Sequence, residues 1–79
     1  MLQPDDRLDA RGLYCPHPVL RARRAMAALA PGQVLEILAT DPGSVDDIAR
    51  FARRGGHELL ADGDAGGEYR FLLRKGAVD

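Results

Sequence analysis

The chain has one cysteine, Cys15, no tryptophan, and His17 and His57 as its only histidines. One cysteine excludes an internal disulfide and a cysteine-rich metal centre. Two histidines and one thiol leave too few ligands for an ordinary structural zinc, so no metal and no cofactor are expected. The longest apolar run, residues 25–30, is far short of a membrane span. Acids stand near the N-terminus, at Asp5 and Asp6, where a secretory signal needs basic charge. A cytoplasmic protein with a reduced thiol is therefore expected. There is no excess of either charge: 11 basic against 12 acidic residues give a net charge of −1. That argues against a nucleic-acid-coating protein and against an acidic tail. Aromatics are scarce, at 5 %, so the stacking pairs of an RNA-binding sheet are missing.

What is present is an ordinary folded composition, 46 % hydrophobic and 29 % charged, in 79 residues. That length gives one domain over residues 1–79, with an ordered core at about 6–76. A core this small leaves no room for a lidded, cofactor-enclosing pocket.

The pattern predicts six elements. Residues 7–10 form a short strand, which Gly12 breaks. A helix runs from Pro16 to Ala30 and stops at Pro31-Gly32, prolines being tolerated in a first helical turn. Val34–Ala39 is a strand, apolar apart from Glu36. Ser44, with Asp47 three residues on, resembles an N-cap for a second helix over 45–54, ended by Gly55-Gly56. Strands at 57–61 and 69–74 flank a turn over 62–67, and the chain ends fray at 1–5 and 76–79. The order is βαβαββ: an α/β (α+β) two-layer sandwich, two helices on one face of a four-stranded mixed sheet. The first two strands are expected to be parallel, joined by a helical crossover; the full strand order stays open.

Cys15 is the sharpest chemical feature. It precedes Pro16 and Pro18 at a helix entrance, where partial positive charge stabilises an anion and lowers a thiol pKa. An amide of His17 or Val19 could donate to its sulfur. On the residues alone two readings stand, a reactive thiol or a small residue packed in the core. Cys15 and His17 diverge around a helix start, which disfavours a Cys–His hydrolase pair. Arg23 falls inside the helix's apolar stripe, so it either snorkels past the sheet edge or pairs with an acid such as Asp9. Arg21 and Arg24 lie on the opposite, solvated face. Asp41-Pro42 closes a strand at its carboxyl end, as a turn or a functional position. Arg70 and Arg74 share one face of the last strand, with Leu72 between them.

These residues resemble a known family. Leu8-Asp9-Ala10-Arg11-Gly12-Leu13, Cys15-Pro16-His17-Pro18, Arg23-Arg24, Pro31-Gly32, Asp41-Pro42, Asp47-Ile48, Phe51, Gly56-His57-Glu58-Leu59, Tyr69-Arg70-Phe71 and Arg74-Lys75-Gly76 are similar to the TusA-like (SirA-like) sulfur-carrier proteins. The resemblance implies the same βαβαββ sandwich. It implies that Cys15 accepts a sulfane sulfur as a persulfide, with Pro16, Pro18, Gly12 and Asp9 as motif support. The donor would be a cysteine desulfurase or a rhodanese-type protein. The acceptor would be a downstream protein serving tRNA thiolation, molybdenum-cofactor maturation or sulfur oxidation. Such a sulfurtransferase turns over only with partners. His17, Arg21, Arg23, Arg24, Asp41, Arg70 and Arg74 are the docking residues to test. Some family members carry a cysteine after the second helix's phenylalanine; here Ala52 follows Phe51. The alternative is a non-catalytic interaction or regulatory module of the same fold; an RNA-binding domain ranks third. A monomer, without direct nucleic-acid or membrane contact, is expected.

Overall fold

The structure is a computed structural model and describes residues 3–76. Its elements are β1 (Asp6–Ala10), α1 (His17–Ala27), β2 (Val34–Ala39), α2 (Gly43–Arg54), β3 (Glu58–Ala65) and β4 (Glu68–Arg74). The four strands form one mixed sheet in the order β1-β2-β4-β3. β1 and β2 are parallel; β2 with β4, and β3 with β4, are antiparallel. The βαβαββ order and the two-layer arrangement agree with the sequence reading.

Alternation along the strands decides which face the helices cover. Leu35, Ile37 and Ala39 of β2 and Phe71 and Leu73 of β4 turn toward the helical layer. They pack there against Ala22 and Met26 of α1 and Ile48 and Ala52 of α2. Leu8, Ile37 and Phe71 lie in one row across three strands. Among the described residues no helix is long and apolar enough to cross a membrane.

Helix limits differ from the spacing for local reasons. The first helix ends at Ala27 rather than Ala30. Lys75 Nζ reaches across from the end of β4 and donates to the free carbonyls of Leu29 at 2.6 Å and Ala27 at 3.4 Å. A cation on the last carbonyls favours a helix end, and beyond Ala27 the chain tightens, with Ala28 N–H donating to the Ala25 carbonyl and Leu29 N–H to that of Met26. The second helix starts at Gly43, and Ser44 is not its cap. Ser44 is buried in the first turn, and its Oγ donates to the Asp41 carbonyl at 2.6 Å. The turn expected over 62–67 is two residues long: β3 continues to Ala65 against β4. Gly66 and Gly67, at φ 63° and 89°, supply the paired positive φ values of a tight hairpin. Asp62 and Asp64 are therefore strand residues, held by ladder bonds despite their polarity.

The chain ends are tied further out than expected. Asp5 N–H donates to the Val34 carbonyl at 2.8 Å, and Gly76 N–H to His57 Nδ1 at 3.1 Å. Residues 1, 2 and 77–79 of the expected frayed ends lie outside the described residues.

The sheet face away from the helices carries Arg70, Leu72 and Arg74, with Glu36 on the neighbouring strand. Glu36 is only 4 % exposed. It stays charged because Arg70 and Arg7 both pair with it. The Arg70 hydrogen bond is the main cause that holds its pKa below the usual glutamate range; burial opposes it and Arg7 adds to it. A depressed folded-state pKa contributes stability above the unfolded value, about 4.3, which is lost as pH falls through the folded one. Glu36→Gln is expected to lower stability at pH 7 by about 1.5–3 kcal/mol, the range for hydrogen bonds to charged groups. It should also flatten the acid limb of a urea-unfolding series measured between pH 7 and 3.

Candidate functional site

Two connections meet at one edge of the sheet. β1 and β2 are parallel neighbours, so the loops leaving their carboxyl ends are adjacent. The first loop carries Cys15 and the second carries Asp41.

The first loop is shaped by its glycine. Leu13 N–H donates to the Ala10 carbonyl at 3.2 Å, closing a turn with Gly12 at φ 82°. That φ at the third turn position favours glycine. Gly12 N–H is held by Thr40 Oγ1 at 2.9 Å, which ties the turn to the second loop. Asp9, at the end of β1, grips Arg11 through both carboxylate oxygens at 2.9 Å each. The Arg11 side-chain hydrogen bond, helped by the Arg11 amide, lowers the Asp9 pKa to about 2. Pro18 is buried and anchors the first turn of α1. The Cys15–Pro16 peptide is cis.

Cys15 is exposed between these anchors, its backbone fixed and its sulfur free to be approached. Its N–H donates to Asp41 Oδ2 at 2.6 Å. Asp41 also accepts from Gly43 N–H at 3.3 Å, and its carbonyl accepts from Ser44 N–H at 3.0 Å. One carboxylate thus starts α2 and clamps the Cys15 backbone. The Cys15 thiol donates to Asp47 Oδ2, on the next turn of α2. Arg50 lies 3.5 Å from the other Asp47 oxygen.

A groove of about 530 Å³ opens beside the sulfur, between α1 and α2. Val19 and Phe51 form its apolar wall, and three arginines, Arg23, Arg50 and Arg54, line it with one acid, Asp47. Among the described residues the exposed large hydrophobic ones are Tyr14, 76 % exposed, and Leu20, 47 % exposed, one residue before and five after Cys15.

The family described as Sulfurtransferase TusA matches residues 6–75. The chain belongs to this family. It is 49 % identical over 71 residues to the sulfur carrier protein TusA of Allochromatium vinosum, covering 90 % of this chain and 93 % of that one. It is 43 % identical over 75 residues to the putative sulfur carrier protein YrkI of Bacillus subtilis, covering 95 % and 100 %. A crystal structure of a SirA-like protein from Desulfitobacterium hafniense superposes with a TM-score of 0.74 at 29 % identity, over 91 % of this chain and 99 % of that one.

In this TusA-family chain the electrostatics at Cys15 differ from expectation. The thiol pKa is raised, not lowered. The hydrogen bond to Asp47 is the largest cause, followed by burial and then the charges of Asp47 and Asp41; Arg50 opposes them. Two nearby carboxylates outweigh a helix entrance whose first-turn amides are partly removed by proline or committed elsewhere. His17 N–H, offered above as a donor to sulfur, donates to the Tyr14 carbonyl at 2.9 Å.

The docking residues separate. Arg23 is exposed and lines the groove; it does not pair with Asp9, whose partner is Arg11. His17, Arg21 and Arg24 are exposed on the first helix. Asp41 faces inward as a backbone clamp rather than outward to a partner. Arg70 and Arg74 are not brought to Cys15. They lie on the open sheet face, paired with Glu36 and Glu58. Sequence reasoning placed Asp47 in a helix start and among the family-like residues without linking it to Cys15, and it missed Arg50 and Arg54. Their spacing along α2 was visible, but which face turns toward Cys15 depends on how the two helices pack.

Asp41→Ala removes the acceptor for two amides at once. It is expected to destabilise the fold by about 1–2 kcal/mol. Amide hydrogen exchange should quicken at Cys15 and Gly43 by tenfold or more while exchange at Ile37 changes only with global stability. Unchanged exchange at Cys15 would rule out the clamp.

Proposed function

We propose that this protein is a sulfur carrier whose Cys15 takes up a sulfane sulfur as a persulfide from a donor protein and passes it to an acceptor protein. The observation that carries the reading is an exposed thiol on a clamped backbone, bordered by an open cationic groove rather than enclosed by a pocket. Membership of the Sulfurtransferase TusA family supports it, as do the names of the two relatives.

The chemistry is exchange at sulfur. Cys15 Sγ attacks the outer sulfur of the donor's persulfide. The Sγ–S bond forms, the donor's S–S bond breaks, and the donor leaves as a thiol after taking up the Cys15 proton. No net oxidation occurs. The acceptor's thiolate then attacks the outer sulfur on Cys15, and Cys15 departs as the thiol. Both steps need in-line access to one sulfur by a second protein, which an enclosed site would block. With no other cysteine in the chain, Cys15 cannot resolve its persulfide into an internal disulfide.

The donor is a cysteine desulfurase or a rhodanese-type protein. The docking surface is the groove with Arg23, Arg50 and Arg54, flanked by Tyr14 and Leu20. Exposed aromatic and apolar residues beside a charged rim are the usual anchors of a transient interface. Arg21, Arg24 and His17 widen the cationic surface of α1.

Incubation with a cysteine desulfurase and cysteine is expected to add about 32 Da, one sulfur, to the intact mass, removable by reductant. Cys15→Ser should abolish the gain and leave the circular-dichroism spectrum unchanged. Sulfur still bound to folded Cys15→Ser protein would defeat the assignment. The double variant Arg23→Glu, Arg54→Glu should slow loading from the desulfurase by at least tenfold, while loading from a small persulfide stays within twofold.

A further inference from the structure

Asp47 has a place in this site that sulfur exchange does not require. Its carboxylate accepts from the Cys15 thiol with one oxygen and faces Arg50 with the other. The charged groups around the sulfur come from every neighbouring element. Asp41 belongs to the β2–α2 loop, Asp47, Arg50 and Arg54 to α2, and Arg23 to α1. Asp47 thus takes the thiol and Asp41 the amide of Cys15, and three arginines line the groove beside them.

We propose that Asp47 discriminates the empty carrier from the loaded one, holding bare Cys15 as a neutral thiol while leaving the persulfide free to ionise. This rests on the carrier reading above. The hold on the empty form follows from the geometry. A thiol proton shared with a carboxylate is lost only at the cost of placing two anions in contact. The rise in the Cys15 pKa has the same cause.

Loading changes the geometry by one bond. The inner sulfur then carries no proton and has nothing to donate to Asp47. The ionising atom is the outer sulfur, about 2 Å further out along an S–S bond. The space beside Cys15 is the groove, whose lining carries three arginines, Arg23, Arg50 and Arg54, against one acid, Asp47. The same acid that silences the thiol thus has little hold on the persulfide. An empty carrier stays inert toward oxidants and stray disulfides, and a loaded carrier presents a reactive sulfur anion.

Asp47 also serves the loading step. As Sγ attacks the donor's outer sulfur, its proton passes to the Asp47 carboxylate and from there to the departing donor thiolate. One S–S bond forms and one breaks, and Asp47 ends as it began.

The test compares wild type with Asp47→Asn, which keeps the shape and an oxygen for Arg50. Alkylation by iodoacetamide is timed from pH 5 to 10 on the empty protein and on protein loaded with glutathione persulfide. Mass identifies the alkylated sulfur. Empty wild type should titrate above the ~8.5 of an ordinary cysteine. Empty Asp47→Asn should alkylate at least tenfold faster at pH 7. The loaded forms of the two proteins should agree within twofold. Equal empty rates would overturn the proposal, and so would a tenfold difference between the loaded forms. If Asp47→Asn does not fold, the wild-type titration decides, and a midpoint at or below 8.5 overturns the hold on the thiol. A wild-type chain that takes no sulfur overturns the carrier reading and the discrimination with it; the empty-protein rates would still report the Asp47 contact.

Discussion

Two parallel strands ending side by side organise this molecule. β1 and β2 are neighbours with the same direction, so both β–α connections emerge at one edge of the sheet. The Cys15 backbone N–H on the first connection and the Asp41 carboxylate on the second are then brought into contact, although 26 residues separate them. The packing of α1 on α2 follows from the same arrangement, since both helices start at that edge and must cover one apolar sheet face. The groove at Cys15 is the seam between them. Parallel α/β units place functional groups at the carboxyl ends of strands for this reason.

The site uses backbone and side chain differently. The Cys15 backbone is rigidly held: Asp41 takes its amide, the Gly12 turn fixes the approach, and Pro18 is sunk in the core. The sulfur remains exposed. A small domain can afford such a site because the chemistry needs position more than enclosure. The opposite face of the sheet is an independent matter, held by the buried Glu36 and its two arginines.

Much of this was legible in the sequence. Alternating apolar residues at Leu35, Ile37, Phe71 and Leu73 mark the buried face directly, and Pro16 with Pro18 marks a helix entrance. The helix ends were less legible, because Lys75 closes α1 from a strand 46 residues away in the chain. The hairpin looked longer than it is, since Asp62 and Asp64 are poor strand formers rescued by pairing with β4. The direction of the Cys15 pKa shift is not readable from the sequence for a similar reason. A helix entrance is a local feature readable from prolines, whereas Asp41 and Asp47 act through the fold. Arg70 and Arg74 show the converse: a shared strand face is readable, but not that Glu36 and Glu58 occupy those arginines.

The chemistry proposed for this fold depends on sulfur being carried by Cys15 at the mouth of the α1–α2 groove. A crystal structure of the sulfur-loaded protein tests this most directly. Density is expected for one added atom on Cys15 Sγ, directed into the groove toward Arg50 and Arg23, with Asp47 released from the inner sulfur. An added atom turned away from the groove toward His17, with Asp47 still bonded at Cys15, would contradict it.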